Sequence, residues 1–188
     1  MLIQATKCRL SEADAGNIAL KERKGLLGVL FEHLSRQTGT VSIEKTFLFY
    51  YPFYYGGALL RFKRIAMLPD RDMAGTAVME GVFGFVTAML GTPELFETNA
   101  EPEQVVKCQF PAEEARERIA LYLQKRGAGK YKNIPNVEFF EFYQLYKPHY
   151  MFMCKKNNKS FTRIVDGETG ERNYRLEVVY KDFKFEKE

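Results

Sequence analysis

Residues 47–55 read Phe-Leu-Phe-Tyr-Tyr-Pro-Phe-Tyr-Tyr, and the fold is decided by how this run is read. Eight of the nine are Phe, Leu or Tyr, so no polar alternation marks a wet face. Aromatic residues fit a pleated, half-buried surface. A strand apolar on both faces must be covered on both. The run therefore predicts a strand over 46–55, covered by helices at 11–36 and 73–91 or by another chain. Its centre returns later in the sequence: Tyr50-Tyr51-Pro52-Phe53-Tyr54 matches Tyr146-Lys147-Pro148-His149-Tyr150.

Other features repeat in the same order. Lys7-Cys8-Arg9-Leu10-Ser11, followed by Asp14-Ala15, matches Lys107-Cys108-Gln109-Phe110-Pro111, followed by Glu114-Ala115. Eighteen residues beyond each proline stand Asp70 and Asp166, with Asp72 and Glu168 two further on. Such self-similarity predicts an internal duplication. The expected fold is α+β: two related strand-helix-strand-strand halves, with helices packed on a mostly antiparallel sheet. The halves divide as 1–96 and 97–188, or merge into one globular domain.

Within each half the local signals agree. Val106, Cys108 and Phe110 alternate with Val105, Lys107 and Gln109, the period of a strand. Pro111 suits a helix start, with Glu113 and Glu114 at the positive end. That helix is expected to run to about Arg126, stopped by Gly127 and Gly129. Ser11 and Asp14 open the first helix in the manner of a capping box, and Ile18, Leu26, Leu27, Leu30, Phe31 and Leu34 supply its apolar side. A second aromatic strand is expected over 137–154, turning through Lys156-Asn157-Asn158-Lys159. Asp166-Gly167-Glu168-Thr169-Gly170 closes the unit. Alternation through Tyr174, Leu176, Val178 and Tyr180 predicts a terminal strand. Pro52 and Pro148 each lack a ladder donor and are expected at an edge or bulge. The segment 73–91 reads as a buried helix with Val78, Val82, Phe85, Val86 and Met89 inside, its glycines compensated by burial.

Composition excludes several classes. Of the 188 residues 46% are apolar and 28% charged, the balance of a globular protein, not a disordered one. The net charge of +4 is small for a dedicated nucleic-acid binder. The three cysteines lie far apart without a CxxC, which indicates neither a disulfide scaffold nor a zinc finger. No basic and then apolar leader opens the chain, so a cytoplasmic location is expected. No membrane span is expected either, because Glu80 interrupts the most apolar stretch and a spanning helix needs about 20 apolar residues.

The candidate sites carry little chemistry on their own. Cys8 and Cys108, in phase with Leu10 and Phe110, read as small buried hydrophobes. His149 and Cys154, five apart on a strand, fall on opposite faces. His33 sits among Leu and Phe. Gly127-Ala128-Gly129-Lys130 follows a helix and is succeeded by Tyr131, so it lacks the strand before and the Ser or Thr after that a phosphate loop needs. Asp70/Asp72 and Asp166/Glu168 fall short of the six to eight oxygens of a calcium site and suit turns. No catalytic residue, cofactor or metal ligand is assigned.

The second half, from Val105 to Asn173, resembles the PepSY family: a strand, a helix opening Pro-Ala-Glu-Glu-Ala, a strand pair, then Ile164-Val165-Asp166-Gly167-Glu168-Thr169-Gly170-Glu171. In the first half only Leu68-Pro69-Asp70-Arg71-Asp72 stands for that last pattern. The resemblance implies a small non-catalytic module, found in peptidase propeptides and envelope proteins, that binds or restrains partner proteins.

The resulting expectation is a non-enzymatic protein- or peptide-binding module with PepSY-like or cystatin-like halves. Its candidate contact residues are Tyr50, Tyr51, Tyr54, Tyr55, Tyr146, His149 and Tyr150, with a protein, a peptide or a second copy as partner. The alternative is an RNA or single-stranded nucleic-acid binder, stacking bases on strand aromatics. Its basic loops would be Lys21-Glu22-Arg23-Lys24, Lys125-Arg126 with Lys130 and Lys132, and Lys155-Lys156 with Lys159. An enzyme or small-ligand binder with an apolar pocket between the halves is a weaker third reading.

Overall fold

The computed structural model describes residues 1–21, 40–63, 69–131, 133–157 and 159–180. The rest of the expected first helix, with His33 and Leu26 to Leu34, lies outside the described residues, as do Glu22-Arg23-Lys24, Leu68, Lys132, Asn158 and Lys181. The fold is α+β. In chain order the elements are β1 (Leu2–Thr6), α1 (Glu12–Leu20), β2 (Ser42–Phe62), β3 (Arg71–Glu80), β4 (Val86–Ala88) and β5 (Leu95–Asn99). A short 3₁₀ turn (Pro102–Gln104) then leads to α2 (Ala112–Tyr131), β6 (Asn136–Lys156), β7 (Lys159–Asp166) and α3 (Tyr174–Val179). The seven strands are mostly antiparallel, with β1 parallel to β6.

The chain forms two compact units, and they do not follow the expected division at residue 96. The first unit joins Met1–Thr6 to Tyr50–Lys147; the second joins Lys7–Phe49 to Pro148–Glu188. Each aromatic strand is far longer than expected, 21 residues, and each changes unit partway along.

In the first unit the strand order is β4-β3-β2-β6-β1-β5. All ten residues of β3 pair with Phe53–Phe62 of β2. Tyr54, Ala58, Leu60 and Phe62 of β2 and Ala77 and Met79 of β3 meet Ala115, Ile119 and Leu123 of α2 in the core. In the second unit β6 and β7 form the hairpin, from His149↔Asp166 to Lys156↔Lys159. Tyr150, Phe152, Cys154 and Val165 pack there on Ala15 and Ala19 of α1. Each hairpin is therefore packed by the helix from the other half of the sequence.

Several expectations are corrected. Residues 73–91 are not a helix but β3, a turn and β4. Ladder pairing along all of β3 outweighs helix propensity that Gly75, Gly81 and Gly84 already lower by about 1 kcal/mol each. Val78, Val82, Val86 and Met89 are only half-buried, and Phe85 is 50% exposed. Residues 105–110 form no strand; Val105 makes a single bridge to Tyr50, and the backbone then turns to bond Pro52's neighbourhood through Gln109 N–H to Gly81 O (2.8 Å). The terminal strand is instead the helix α3, because Asn173 caps it by accepting from Leu176 N–H (3.2 Å). Arg172 pairs with Glu177 across its first turn (2.8 Å).

Gly127 and Gly129 lie inside α2 and do not end it. A Cβ at Gly127 would stand 3.0 Å from both Phe62 and Pro135, so the glycine permits close packing. The prolines are not on an edge strand of the sheet order. Both are buried, one step beyond the last hairpin pair. The start of α1 stands as expected: Ser11 Oγ accepts from Asp14 N–H (3.1 Å) and donates to the Asp14 carboxylate (2.6 Å). The turn after β6 stands as well, with Asn157 at φ +49°.

The two units carry one set of contacts. Pro52 O accepts from Gly81 N–H (2.9 Å), and Pro148 O from Gly167 N–H (2.8 Å). Gly81 O accepts from Gln109 N–H and Gly167 O from Arg9 N–H, both at 2.8 Å. Tyr54 donates to Phe110 O (2.9 Å), and Tyr150 to Leu10 O (3.1 Å). A Cβ at Gly81 would lie 2.8 Å from Cys108 Sγ, and one at Gly167 would lie 2.9 Å from Cys8 Sγ. With backbone oxygen of the proline only 3.0 and 3.1 Å from the same points, neither site has room to relax. Gly81→Ala and Gly167→Ala should each destabilise by about 1–3 kcal/mol through overpacking. Urea unfolding of the two variants checks this; a loss at one site and none at the other would show that the contacts are not equivalent.

Candidate functional site

The matched contacts bring two turns into correspondence. Glu80-Gly81-Val82-Phe83-Gly84-Phe85 starts at the last residue of β3, and Asp166-Gly167-Glu168-Thr169-Gly170-Glu171 at the last residue of β7. Gly84 N–H donates to Glu80 O (3.0 Å) and Gly170 N–H to Asp166 O (2.9 Å). Glu80 N–H donates to Phe85 O and Asp166 N–H to Glu171 O, both at 2.9 Å. Gly84 and Gly170 have φ of +74° and +75°, a conformation that favours glycine. In each turn the leading carboxylate accepts backbone N–H groups: Glu80 from Phe83 (3.1 Å), Asp166 from Glu168 (2.8 Å) and Thr169 (3.1 Å). The counterpart of Asp166 is thus Glu80 rather than Asp70. Asp72 instead pairs with Arg61 on the ladder (3.3 Å).

The side chains on these like backbones differ in kind. The second turn carries the polar side chains of Glu168, Thr169 and Glu171. The first carries Val82, Phe83 and Phe85, with Phe83 39% and Phe85 50% exposed. Their rings lie 6.3 Å apart. Beyond them β4, an end strand of the first unit's sheet order, leads to Leu90, which is 99% exposed. Gly84 is backed by Phe110 and Arg118, whose guanidinium lies 4.5 Å over the Phe110 ring.

The aromatic residues expected to meet a partner are placed differently. Tyr50, Tyr51, Tyr54, Tyr55, His149 and Tyr150 are all buried, and Tyr146 is half-buried. Tyr51 donates to Glu80, Tyr55 stacks on Tyr143 (5.1 Å), and His149 stacks on Phe49 (5.5 Å). Tyr146 accepts from Gln144 Nε2 (3.0 Å). These rings pack the interior of their units; on the same sheet Phe140 of β6 is 58% exposed and Phe96 of β5 37%. Helical periodicity places Phe85 in the core and does not single out Phe83. The alternation Met73, Gly75, Ala77, Met79 was the signal for a strand.

The other candidates follow the same pattern. Cys8 and Cys108 are half-buried rather than core residues, each held against a tyrosine hydroxyl, a glycine or a backbone carbonyl. Cys154 is buried beside Phe152, on the face of β6 opposite His149, and burial pushes its thiol up. Burial, with Cys108 nearby, raises the Tyr54 and Tyr146 phenols, and burial pushes Tyr143 up to about 12. Among the described residues no three His, Cys, Asp or Glu side chains gather to hold a metal ion. Among them, too, no helix is long and apolar enough to cross a membrane.

Comparison with known proteins gives no relative: no family model, no curated protein and no solved structure matches the chain.

The tyrosine shifts set an alkaline limit on stability. A folded pKa raised to about 12 at Tyr143, against the usual 10, means that the folded state holds its proton more tightly. The stabilisation is complete below pH 10 and is lost as pH rises toward 12. Urea midpoints should be flat from pH 8 to 9.5 and fall above pH 10, with tyrosinate absorbance rising as the chain unfolds.

Proposed function

We propose that the chain is a duplicated, non-catalytic binding protein, PepSY-like or cystatin-like in its halves. It captures a protein or peptide through the exposed apolar segment at residues 82–90. One observation carries this reading: two turns share a hydrogen-bond pattern, yet one is polar and the other displays Phe83 and Phe85. The fold does not require the aromatics, because the turn with Glu168, Thr169 and Glu171 closes without them. Exposed aromatic side chains at loop tips are characteristic anchors of protein interfaces. β4 adds to this as an end strand, since edge strands recruit extended segments by main-chain pairing. The resemblance of residues 105–173 to PepSY modules is one of sequence, since 105–110 form no strand and α2 packs on the other hairpin; as a likeness of sequence it accords with a restraining or binding role. A second copy of the chain satisfies the same chemistry.

The test transplants the polar turn. Val82→Glu, Phe83→Thr and Phe85→Glu together give the first unit the side chains of the second. Phe83 and Phe85 are exposed, and changes there alter stability by about 0.5 kcal/mol or less each; Val82 is half-buried, so circular dichroism and urea unfolding first establish that the variant folds. Photo-crosslinking from position 85 in cells should yield a discrete adduct, and crosslinking from position 171 should not. The triple variant should lose the partner by pull-down, or lose self-association by sedimentation. Adducts formed equally from both positions, or full retention of partner by the triple variant, would sink the reading.

A further inference from the structure

The aromatic turn is tied down through Tyr51, where the second unit has Lys147. Glu80 ends β3 and pairs there with Phe53, the last pair of the β2–β3 ladder. Residues two apart on a strand share a face. Tyr51 therefore stands beside Phe53, diagonal to Glu80 and beyond the ladder's end, its ring 5.7 Å from that of Phe53. The hydroxyl of buried Tyr51 donates to one oxygen of the Glu80 carboxylate, and the other oxygen accepts from Phe83 N–H (3.1 Å). A single buried carboxylate thus joins the wall of the sheet to the backbone of an exposed aromatic residue. The second unit is built otherwise. Asp166 takes Glu168 and Thr169 N–H on one oxygen (2.8 and 3.1 Å), and Lys147 precedes Pro148 as Tyr51 precedes Pro52.

Building on the partner-binding reading of residues 82–90, we infer that Glu80, held by Tyr51, is the positioning residue of that segment and fixes Phe83 where a partner meets it. Packing alone does not explain the pair. A buried tyrosine hydroxyl needs an acceptor, but a backbone carbonyl suffices, as Phe110 O does for Tyr54. Burying a carboxylate costs more than burying a neutral acceptor. What a carboxylate adds is strength, because hydrogen bonds to an ionised acceptor are roughly twice as strong as neutral ones. Closing the turn does not call for the pair either, since the turn at Asp166 makes the same backbone bonds without a tyrosine at that place. What the pair adds is order in the residues that the turn displays. Gly81 and Gly84 flank Val82 and Phe83, and glycine is the most permissive residue, so this short segment gains most from an anchor. A loop already held in its bound form loses less entropy on association.

The experiment reads amide hydrogen exchange of the full-length protein beside photo-crosslinking from position 85 in cells, for the parent and for Glu80→Ala, Glu80→Gln and Tyr51→Phe. Glu80→Ala should speed exchange of Phe83 N–H at least about tenfold and lower the adduct yield by a comparable factor. Glu80→Gln keeps an oxygen for Phe83 N–H and a polar group for Tyr51, and should recover most of both. Tyr51→Phe should speed the same exchange by a smaller factor, and it carries the test if Glu80→Ala does not fold. Asp166→Ala, the matching change in the polar turn, should leave Phe83 N–H as it is in the parent. Three outcomes would each overturn the inference: unchanged exchange at Phe83 in both Glu80→Ala and Tyr51→Phe, exchange quickened across β2 and β3 as much as at Phe83, or no recovery of the adduct in Glu80→Gln. Equal adducts from the parent and Glu80→Ala would sink this inference alone, whereas no adduct from the parent would sink the partner-binding reading with it.

Discussion

One backbone contact organises each unit: a proline carbonyl inside a long aromatic strand, bonded to the N–H of a glycine just past the returning strand. Pro52 with Gly81 and Pro148 with Gly167 are the two instances, at 2.9 and 2.8 Å. The proline contributes no ladder donor, so hairpin pairing stops at its neighbour, and the chain is free to leave the ladder there. The glycine accepts that approach because it has no Cβ to collide with the proline carbonyl or the cysteine sulfur. Its own carbonyl then receives Gln109 or Arg9, which fixes the segment leading into α2 or α1. The helix is thereby set over the hairpin. Strand end, turn and helix entry all depend on four residues, proline, glycine, cysteine and tyrosine, whose spacing within the sequence differs greatly between the two units.

That difference in spacing explains what could and could not be read from the sequence. The anchors were legible: the Pro52 and Pro148 motifs, the Cys8 and Cys108 motifs, the Ser11 cap and the turn at Asp166. The pairing of Asp70 with Asp166 failed because β2 and β3 run ten pairs beyond Pro52, two more than β6 and β7 beyond Pro148, and their connection is longer. A search at constant distance from the proline therefore stops short of Glu80. The exchange of helices could not be read at all. Local periodicity predicts a helix but not which of two hairpins it will cover, and that choice is made by tertiary packing.

The candidate site was illegible for a related reason. Aromatic residues are many in the long strands, and Tyr50, Tyr51, Tyr54, Tyr55 and Tyr150 among them are buried, whereas Phe140 of β6 is 58% exposed. Tyr51 and Tyr54 show the cost of so much buried phenol: each hydroxyl needs a partner, and Glu80 and the Phe110 carbonyl supply them. The informative aromatics are the few that the fold leaves outside. Only after Phe83 and Phe85 are set beside Thr169 and Glu171 does their exposure become distinctive, and the register between those turns exists only in three dimensions.

The two cores fill matching backbone positions with different volumes. Six residues before the hairpin's Ala58 in the first unit lies Pro52, and the same step in the second leads from Pro148 to Cys154; both Ala58 and Cys154 are fully buried small side chains. Two positions earlier the volumes are exchanged. Gly56 leaves space that Ile119 of α2 enters, since a Cβ at Gly56 would lie 2.9 Å from Ile119 Cγ2. Phe152 occupies that position in the second unit, and there the helix presents Gly16 and Ala19. A large residue on the helix answers a small one on the strand, and the reverse. Close-packed interiors tolerate such swaps when total volume is kept. Surfaces face no equivalent restraint. The turn after β3 closes with aromatic side chains on the hydrogen bonds that the turn after β7 makes with polar ones.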